Sequence, residues 1–197
     1  MPVIRNYINK GVKLFSTQSS EFKLNFVHIQ FYLVGSTYKL HSKDITDGEL
    51  DLDCCAILLI YLVEACDPSS LIPMLSAIWS YCKFNFVKSK TCCLRSITSM
   101  LVGVLFWKLH VEFVKILLNE NLLPFCITEM IKYHNHLHDS HEKKRIILGS
   151  LTLLALPEKP EQLQKQIPNI FKMTTKMIKS NARQVIIKFM EKNKLKN

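Results

Sequence analysis

The chain has little glycine and little strand-like patterning. Only five glycines occur in 197 residues, and alternation of polar and apolar residues is scarce. The long segments instead repeat apolar residues every three or four positions, which is typical of amphipathic α-helices. Hydrophobic residues make up 48% of the chain, which is enough for a sizeable core and excludes disorder as the main state. The sequence therefore predicts an all-α protein.

Long hydrophobic runs are also missing. No uninterrupted apolar run approaches the roughly 18 to 20 residues that a membrane-spanning helix needs. Polar residues interrupt the segment where the core of a secretory signal would lie, namely Arg5, Asn6, Asn9 and Lys10. We therefore expect a soluble intracellular protein that does not insert into membranes.

The cysteines do not form a recognisable framework. None of the seven belongs to a Cys-x-x-Cys pair, so neither a disulfide scaffold nor a zinc ribbon is predicted. All of them lie inside predicted helices, where we interpret them as small core residues in a reducing compartment. They are Cys54, Cys55, Cys66, Cys82, Cys92, Cys93 and Cys126.

Sequence motifs for catalysis are missing as well. The chain has no Gly-x-Ser-x-Gly elbow, no Gly-x-Gly-x-x-Gly turn and no phosphate-binding Gly-Lys-Ser/Thr loop, which favours binding over an enzyme. The remaining metal candidates are His134, His136, His138 and His141, with Cys126 as a further ligand, since residues 134 and 138 share a helical face. Histidines are also favoured by the dipole at a helix end. We expect no metal and no cofactor.

Three apolar-proline pairs precede helix-length amphipathic segments, and their prolines stand 51 and 44 residues apart. These are Ile72-Pro73, Leu123-Pro124 and Ile167-Pro168. Each segment follows a denser apolar run, at residues 54–63, 97–107 and 146–156. Helix pairs that recur at about 40 to 47 residues are typical of HEAT repeats, which stack to bury their apolar faces.

This period predicts one continuous α-solenoid over residues 1–197. Its HEAT-like antiparallel helix pairs are expected at about residues 50–86, 88–137 and 140–180. Further helices are predicted at residues 2–15 and 22–39, with a loop at 42–48, and the second pair is expected to break between residues 108 and 110. Two helix starts are marked by capping signals, Asp67 before Pro68 and Asp139 before Glu142.

Charge is distributed unevenly along the chain. The net charge is +10, but residues 172–197 form a basic tail with eight basic residues and one acidic residue. Four of these cations are spaced for one helical face and are able to meet phosphates: Lys172, Lys176, Lys179 and Arg183. Because Phe171 and Phe189 are the only aromatic residues there, we expect nucleic acid to be at most a sequence-independent partner.

Three sequence stretches follow one another along the chain: LIPMLSAI at residues 71–78, VKSKTCCLR at 87–95 and HDSHEKKRIILG at 138–149. A proline-led QIPNI follows at residues 166–170. In this order and spacing the chain resembles, over about residues 53–179, the carboxyl-terminal part of importin-β-type karyopherins. The resemblance is greatest to the subgroup of importins seven and eight.

The resemblance implies a nuclear transport receptor of the cytoplasm and nucleus that carries protein cargo and releases it on binding the GTP form of Ran. The family's amino-terminal Ran-binding repeats are not in this chain, which resembles a fragment or a truncated relative. Contacts with Ran-GTP and nucleoporins are therefore expected through the full-length receptor. A HEAT or armadillo-like scaffold of another pathway, and a basic helical protein that coats nucleic acid, are the alternatives.

One acidic region is the predicted cargo site. Residues 44–67 hold seven acids and no lysine or arginine, although the chain as a whole is basic and the related receptors are usually acidic. A basic cargo segment would be attracted to this region. The predicted cargo-binding residues are Asp44, Asp47, Glu49, Asp51 and Asp53.

Overall fold

The computed structural model describes residues 26–41 and 49–194 of the chain. Within these residues every regular element is helical, so the predicted all-α class is confirmed. The helices are α1 (Phe26–His41), α2 (Glu49–Ala65), α3 (Pro68–Leu71), α4 (Leu75–Lys88), α5 (Cys92–Asn119), α6 (Leu123–Tyr133), α7 (Ser140–Leu154), α8 (Glu161–Gln164) and α9 (Ile167–Lys194). The predicted helix at residues 2–15 and the loop at residues 42–48 lie outside the described residues.

The three proline-led segments begin helices as predicted. Pro124 and Pro168 are the second residues of α6 and α9, and Pro73 lies in the 3-10 turn Ile72–Met74 just before α4. Proline suits these positions because its fixed φ is helical and its missing N–H has no partner in the first turn. The expected capping by Asp67 is wrong, since its side chain forms no capping hydrogen bond ahead of α3.

The helices belong to two units, one ending at Leu101 and the other beginning at Val102. In the first unit α1 packs against α2, and the apolar side of α4 is buried, with Trp79 fully enclosed. In the second unit α9 packs against α7 and α6, and α8 packs against α6. The stacking of helix pairs into a single solenoid stays a prediction.

Helix α5 differs from the prediction at both of its expected boundaries. It begins at Cys92 and not at Lys88, because the hydroxyls of Ser89 and Thr91 accept hydrogen bonds from the backbone N–H groups of Thr91 (3.2 Å) and Leu94 (3.4 Å). The expected break near residue 109 is a kink, since Leu109 is non-helical at φ −134° and ψ 32°. Among the helices described, none is both long and apolar enough to span a bilayer.

Two glycines bring the backbones of α5 and α7 into direct contact. A Cβ placed on Gly149 would lie 2.2 Å from the backbone oxygen of Gly103. A Cβ on Gly103 would lie 3.0 Å from the backbone oxygen of Arg145. Neither glycine has an unusual φ, so the absence of a side chain matters here for close approach and not for backbone freedom. This contact fixes α7 in the second unit, where α9 packs on it.

The cysteines are all free thiols, but their environments differ. Cys66, Cys82 and Cys126 are buried as expected for core residues. The core interpretation is wrong for three others, since Cys54, Cys92 and Cys93 are exposed. Cysteine is small and weakly polar, so helical periodicity alone does not place it on the buried side of a helix.

Candidate functional site

The structure describes three of the five predicted cargo-binding acids, all in the first turn and a half of α2. Glu49 is the first residue of the helix, Asp51 is exposed and Asp53 is half-buried. Asp44 and Asp47 lie outside the described residues. Carboxylates at a helix start interact favourably with the helix dipole, which by itself accounts for part of this pattern. Whether these acids form a binding site therefore depends on the shape and polarity of the neighbouring surface.

An apolar groove lies beside this helix start. It encloses about 310 Å³ between α1, α2 and α4. Its walls are almost entirely apolar or aromatic and include Val34 and Tyr38 of α1, Leu59 of α2, and Ala77, Ile78 and Tyr81 of α4. Ala77 is exposed at the groove, so the groove is open to solvent along α4. A cavity of this size and character accommodates a large apolar side chain.

Tyr81 joins the groove to the acidic helix start. Its hydroxyl donates a hydrogen bond to the backbone carbonyl of Leu52, and its ring lies edge-on to Tyr38 with centroids 6.1 Å apart. Burial, the main cause, raises the pKa of Tyr81, and the nearby charge of Asp53 raises it further. Leu52 stands between Asp51 and Asp53 in the sequence, so the hydrogen bond from Tyr81 brings the acidic helix start to this residue. The acids lie at the Tyr81 end of the groove.

The distance between the two parts of the site follows from helix geometry. Leu59 lines the groove and Asp51 is eight residues earlier on α2, so the two are about 12 Å apart along the helix axis. This distance is spanned by about four residues of an extended peptide. One short segment is therefore long enough to place an apolar side chain in the groove and a cation beside the acids.

The sequence analysis predicted the acidic residues but not the apolar groove. Its wall combines residues of three different helices, and periodicity along one helix does not reveal a gap between several. One usable signal was present, because Ala77 and Ser80 are small residues three positions apart on α4 and leave space beside Ile78. Such pairs also occur on ordinary solvated faces.

The histidine cluster does not assemble as one helical face. His134 and His136 belong to the 3-10 turn His134–His136, whereas His138 precedes α7 and His141 lies in its first turn. His134 is buried, and its Nδ1 interacts with the backbone carbonyl of Ile131. Burial chiefly lowers the pKa of His134, with further lowering by Lys176 and His136. In the described part of the chain, no group of three or more potential ligands is placed to hold a metal ion.

The basic face of α9 is present as predicted. Four cations are exposed along one side of this helix: Lys172, Lys176, Lys179 and Arg183. The opposite side is buried through Ile170, Met173 and Met177, which face α7 and α6. The basic tail is therefore packed within the second unit at least as far as Met177. Comparisons of the chain with protein-family models, with curated proteins and with solved structures gave no match.

Proposed function

We propose that this chain is a protein-binding segment of a nuclear transport receptor of the importin type, and that it contributes to cargo binding in nuclear import. The observation that carries the proposal is the apolar groove between α1, α2 and α4, with Asp51 and Asp53 flanking Leu52, whose carbonyl accepts the hydrogen bond from Tyr81. The partner is a basic protein segment with one apolar anchor residue. The anchor fills the groove, and lysine or arginine side chains face the acids.

The proposed architecture is a solenoid of HEAT-like helix pairs. Its support is the recurrence of a helix that has a proline at or just before its first turn, in α4, α6 and α9, with the prolines 51 and 44 residues apart and so close to the spacing of such repeats. Repeats of this kind present long surfaces to other macromolecules. Ran-GTP and nucleoporins are proposed partners of the full-length receptor, which operates in the cytoplasm and nucleus. Binding, and not catalysis, is the proposed activity.

A peptide-binding measurement tests the groove directly. The probe is a fluorescein-labelled peptide with one phenylalanine between two pairs of lysines, titrated with the full chain and followed by fluorescence anisotropy. Ala77→Leu places a larger side chain in the groove from an exposed position, and we expect it to weaken binding at least about tenfold. Asp51→Asn is expected to weaken binding about twofold to fivefold, because an exposed charge contributes less.

Matched variants separate this site from general effects. Ser76→Leu adds a similar side chain to an exposed position of α4 outside the groove, and Asp67→Asn removes an exposed acid beyond the other end of α2. Both are expected to bind like the wild type. A peptide with alanine in place of phenylalanine should lose most of its affinity. Equal binding by the wild type, Ala77→Leu and Asp51→Asn would refute the proposed site.

The receptor and scaffold interpretations differ in their partners. The full chain, immobilised and exposed to nuclear and cytosolic extract, is expected to recover basic proteins of the histone or ribosomal kind, or nucleoporins. Their retention should fall with Ala77→Leu and Asp51→Asn. Recovery of an unrelated complex, unaffected by either variant, would instead favour a helical scaffold of another pathway.

A second function, sequence-independent binding of nucleic acid, is favoured by the exposed cations of α9. If this face binds a single strand, each neutralised lysine contributes about 0.7 to the slope of log affinity against log salt. Lys172→Gln and Lys179→Gln should then each reduce that slope by about 0.7. A salt dependence unchanged by both variants excludes this face as a nucleic-acid site.

A further inference from the structure

Lys143 lies in an unusual place for a lysine. Only 7% of it is exposed, and it reaches from α7 towards α9, where its Nζ donates a hydrogen bond to the Ser180 hydroxyl at 3.2 Å. Within the described part of the chain its ammonium forms no ion pair. An ammonium that is largely removed from water is favourable only when an anion or several acceptors compensate for the lost hydration. One serine hydroxyl compensates only weakly for the lost hydration of the Lys143 ammonium group.

A second lysine approaches the same junction from α9. Lys176 is one turn before Ser180 and on the same face of the helix, about 6 Å away along its axis. Its Nζ donates to the side-chain oxygen of Asn135 at 3.0 Å, in the turn that follows α6. It too forms no ion pair among the residues described. Both ammonium groups therefore bond to neutral side chains where α7, α9 and the turn after α6 meet, and neither pairs with a carboxylate among the residues described.

The neutral groups at this junction retain hydrogen-bond donors. Ser180 accepts from Lys143, so its own hydroxyl hydrogen is left to donate, and Asn135 accepts from Lys176 through Oδ1, so its amide NH₂ is left as well. His134, beside Asn135, donates through Nδ1 to a backbone carbonyl, so its buried Nε2 is an acceptor in the neutral ring and adds no donor to the junction. The donors and cations of the junction thus outnumber its acceptors.

The acids of the adjoining turn are engaged in capping α7. Glu142 accepts hydrogen bonds from the backbone N–H groups of His138 and Asp139, both at 3.1 Å. Asp139 completes the capping box from its side. These carboxylates hold the start of the helix and do not pair with Lys143 or Lys176. The described residues therefore supply no counter-charge to Lys143 or Lys176.

We propose that Lys143, Lys176, Ser180 and Asn135 form a binding site for a dianionic phosphate group, referred to below as the α7–α9 phosphate site. Two ammonium groups match two negative charges, and the hydroxyl and the amide supply neutral donors to the remaining oxygens. The phosphate is either free phosphate or the phosphate ester of a phosphorylated residue, which share this chemistry. A nucleic-acid backbone fits less well, because each phosphodiester has one charge and a strand would engage exposed Lys172 as readily as buried Lys143.

Titration of the full chain with inorganic phosphate tests the site. Calorimetry at pH 7.5, with chloride keeping the ionic strength constant, should show saturable binding to the wild type. Lys143→Met keeps most of the aliphatic stem, and Lys176→Gln changes an exposed residue, so that at least one is expected to fold. Each should weaken phosphate binding about tenfold or more, because a charge-assisted hydrogen bond is lost. Far-ultraviolet circular dichroism establishes that each variant is folded.

Lys172→Gln is the matched control. It removes the same charge from the same helix, one turn before Lys176, at an exposed position without a hydrogen bond to the junction. Its affinity for phosphate should lie within about twofold of the wild-type affinity, because the effect of a distant exposed charge is screened by salt. No saturable binding to the wild type, or equal weakening by Lys172→Gln and Lys176→Gln, would overturn the proposal.

Further probes identify the source of the phosphate. A phosphoserine peptide that binds more tightly than inorganic phosphate, and more tightly than its unphosphorylated counterpart, indicates a phosphorylated protein segment. Equal affinity for the phosphopeptide and inorganic phosphate indicates free phosphate. Both results support the site. Tighter binding of a single-stranded oligonucleotide that Lys172→Gln weakens as much as Lys143→Met would contradict it.

Discussion

The contact between Gly103 and Gly149 makes the sharpest stability prediction. Gly149→Ala places a Cβ 2.2 Å from the backbone oxygen of Gly103, whereas a carbon and an oxygen normally stay about 3.3 Å apart or more. The two atoms belong to packed backbones, so neither can move away by a change of rotamer. Helices α5 and α7 would have to separate by about 1 Å. Most contacts along their interface would change with them.

The expected loss of stability is at least about 2 kcal/mol. Overpacking a core costs about 1 to 3 kcal/mol, and occasionally more, when side chains can adjust. Because backbone atoms cannot adjust in this way, a clash between backbones should reduce the unfolding free energy by an amount at or above the upper end of that range. The higher helix propensity of alanine opposes it by about 1 kcal/mol. Urea denaturation of the full chain, followed by circular dichroism, measures the difference.

Two other glycines provide the comparison. Gly103→Ala brings its Cβ to 3.0 Å from the Arg145 oxygen and the Ile146 Cα, so we expect a smaller loss than for Gly149→Ala. Gly35→Ala, in α1, meets no atom within 4 Å and should stabilise the chain by up to about 1 kcal/mol. If Gly149→Ala changed the unfolding free energy no more than Gly35→Ala does, α5 and α7 would not be in backbone contact.

Three further predictions concern the core, pH and a helix cap. Trp79→Ala should cost about 3 to 5 kcal/mol in denaturant melts, since Trp79 is 0% exposed, and a loss below about 1 kcal/mol would contradict its burial. Because burial lowers the pKa of His134 in the folded chain, the unfolded chain takes up the proton first, and stability should fall as pH drops below about 6.5. His134→Gln should flatten this part of the curve of melting temperature against pH. Asp139→Ala should cost about 1 kcal/mol of unfolding free energy, a loss that Lys144→Ala, at an exposed position of the same helix, should not reproduce.

Periodicity and proline placement predicted most of the helices from the sequence. The expected interruption near residue 109 is the kink at Leu109, and α6 and α9 have their prolines at the second helical position. The start of α5 was misplaced because Ser89 and Thr91 provide local hydrogen bonds that compete with a longer helix. The spacing of apolar residues indicates which side of a helix is buried, but it gives less information about the residue at which the helix begins.

The candidate sites depended on contacts between segments distant in sequence. The acidic residues of α2 were visible from charge alone, but the groove beside them exists only because Tyr38, Leu59 and Tyr81 meet. The burial of Lys143 is set by the packing of α9 on α7, some 37 residues later in the chain. A lysine in a run of three basic residues gives no sign that it will be covered.

The unequal exposure of the thiols allows a fluorescent dye to be attached selectively to the folded chain. Cys54 faces solvent one turn from Asp51, while Cys66, Cys82 and Cys126 are enclosed, and burial raises the pKa of Cys82. The reactive form of a thiol is the thiolate, so a maleimide dye should modify Cys54 in the folded chain and leave the enclosed sulfurs untouched. With serine at positions 55, 92 and 93, a single fluorophore on Cys54 would lie beside the acids of α2. Its emission would then respond when a basic segment docks there.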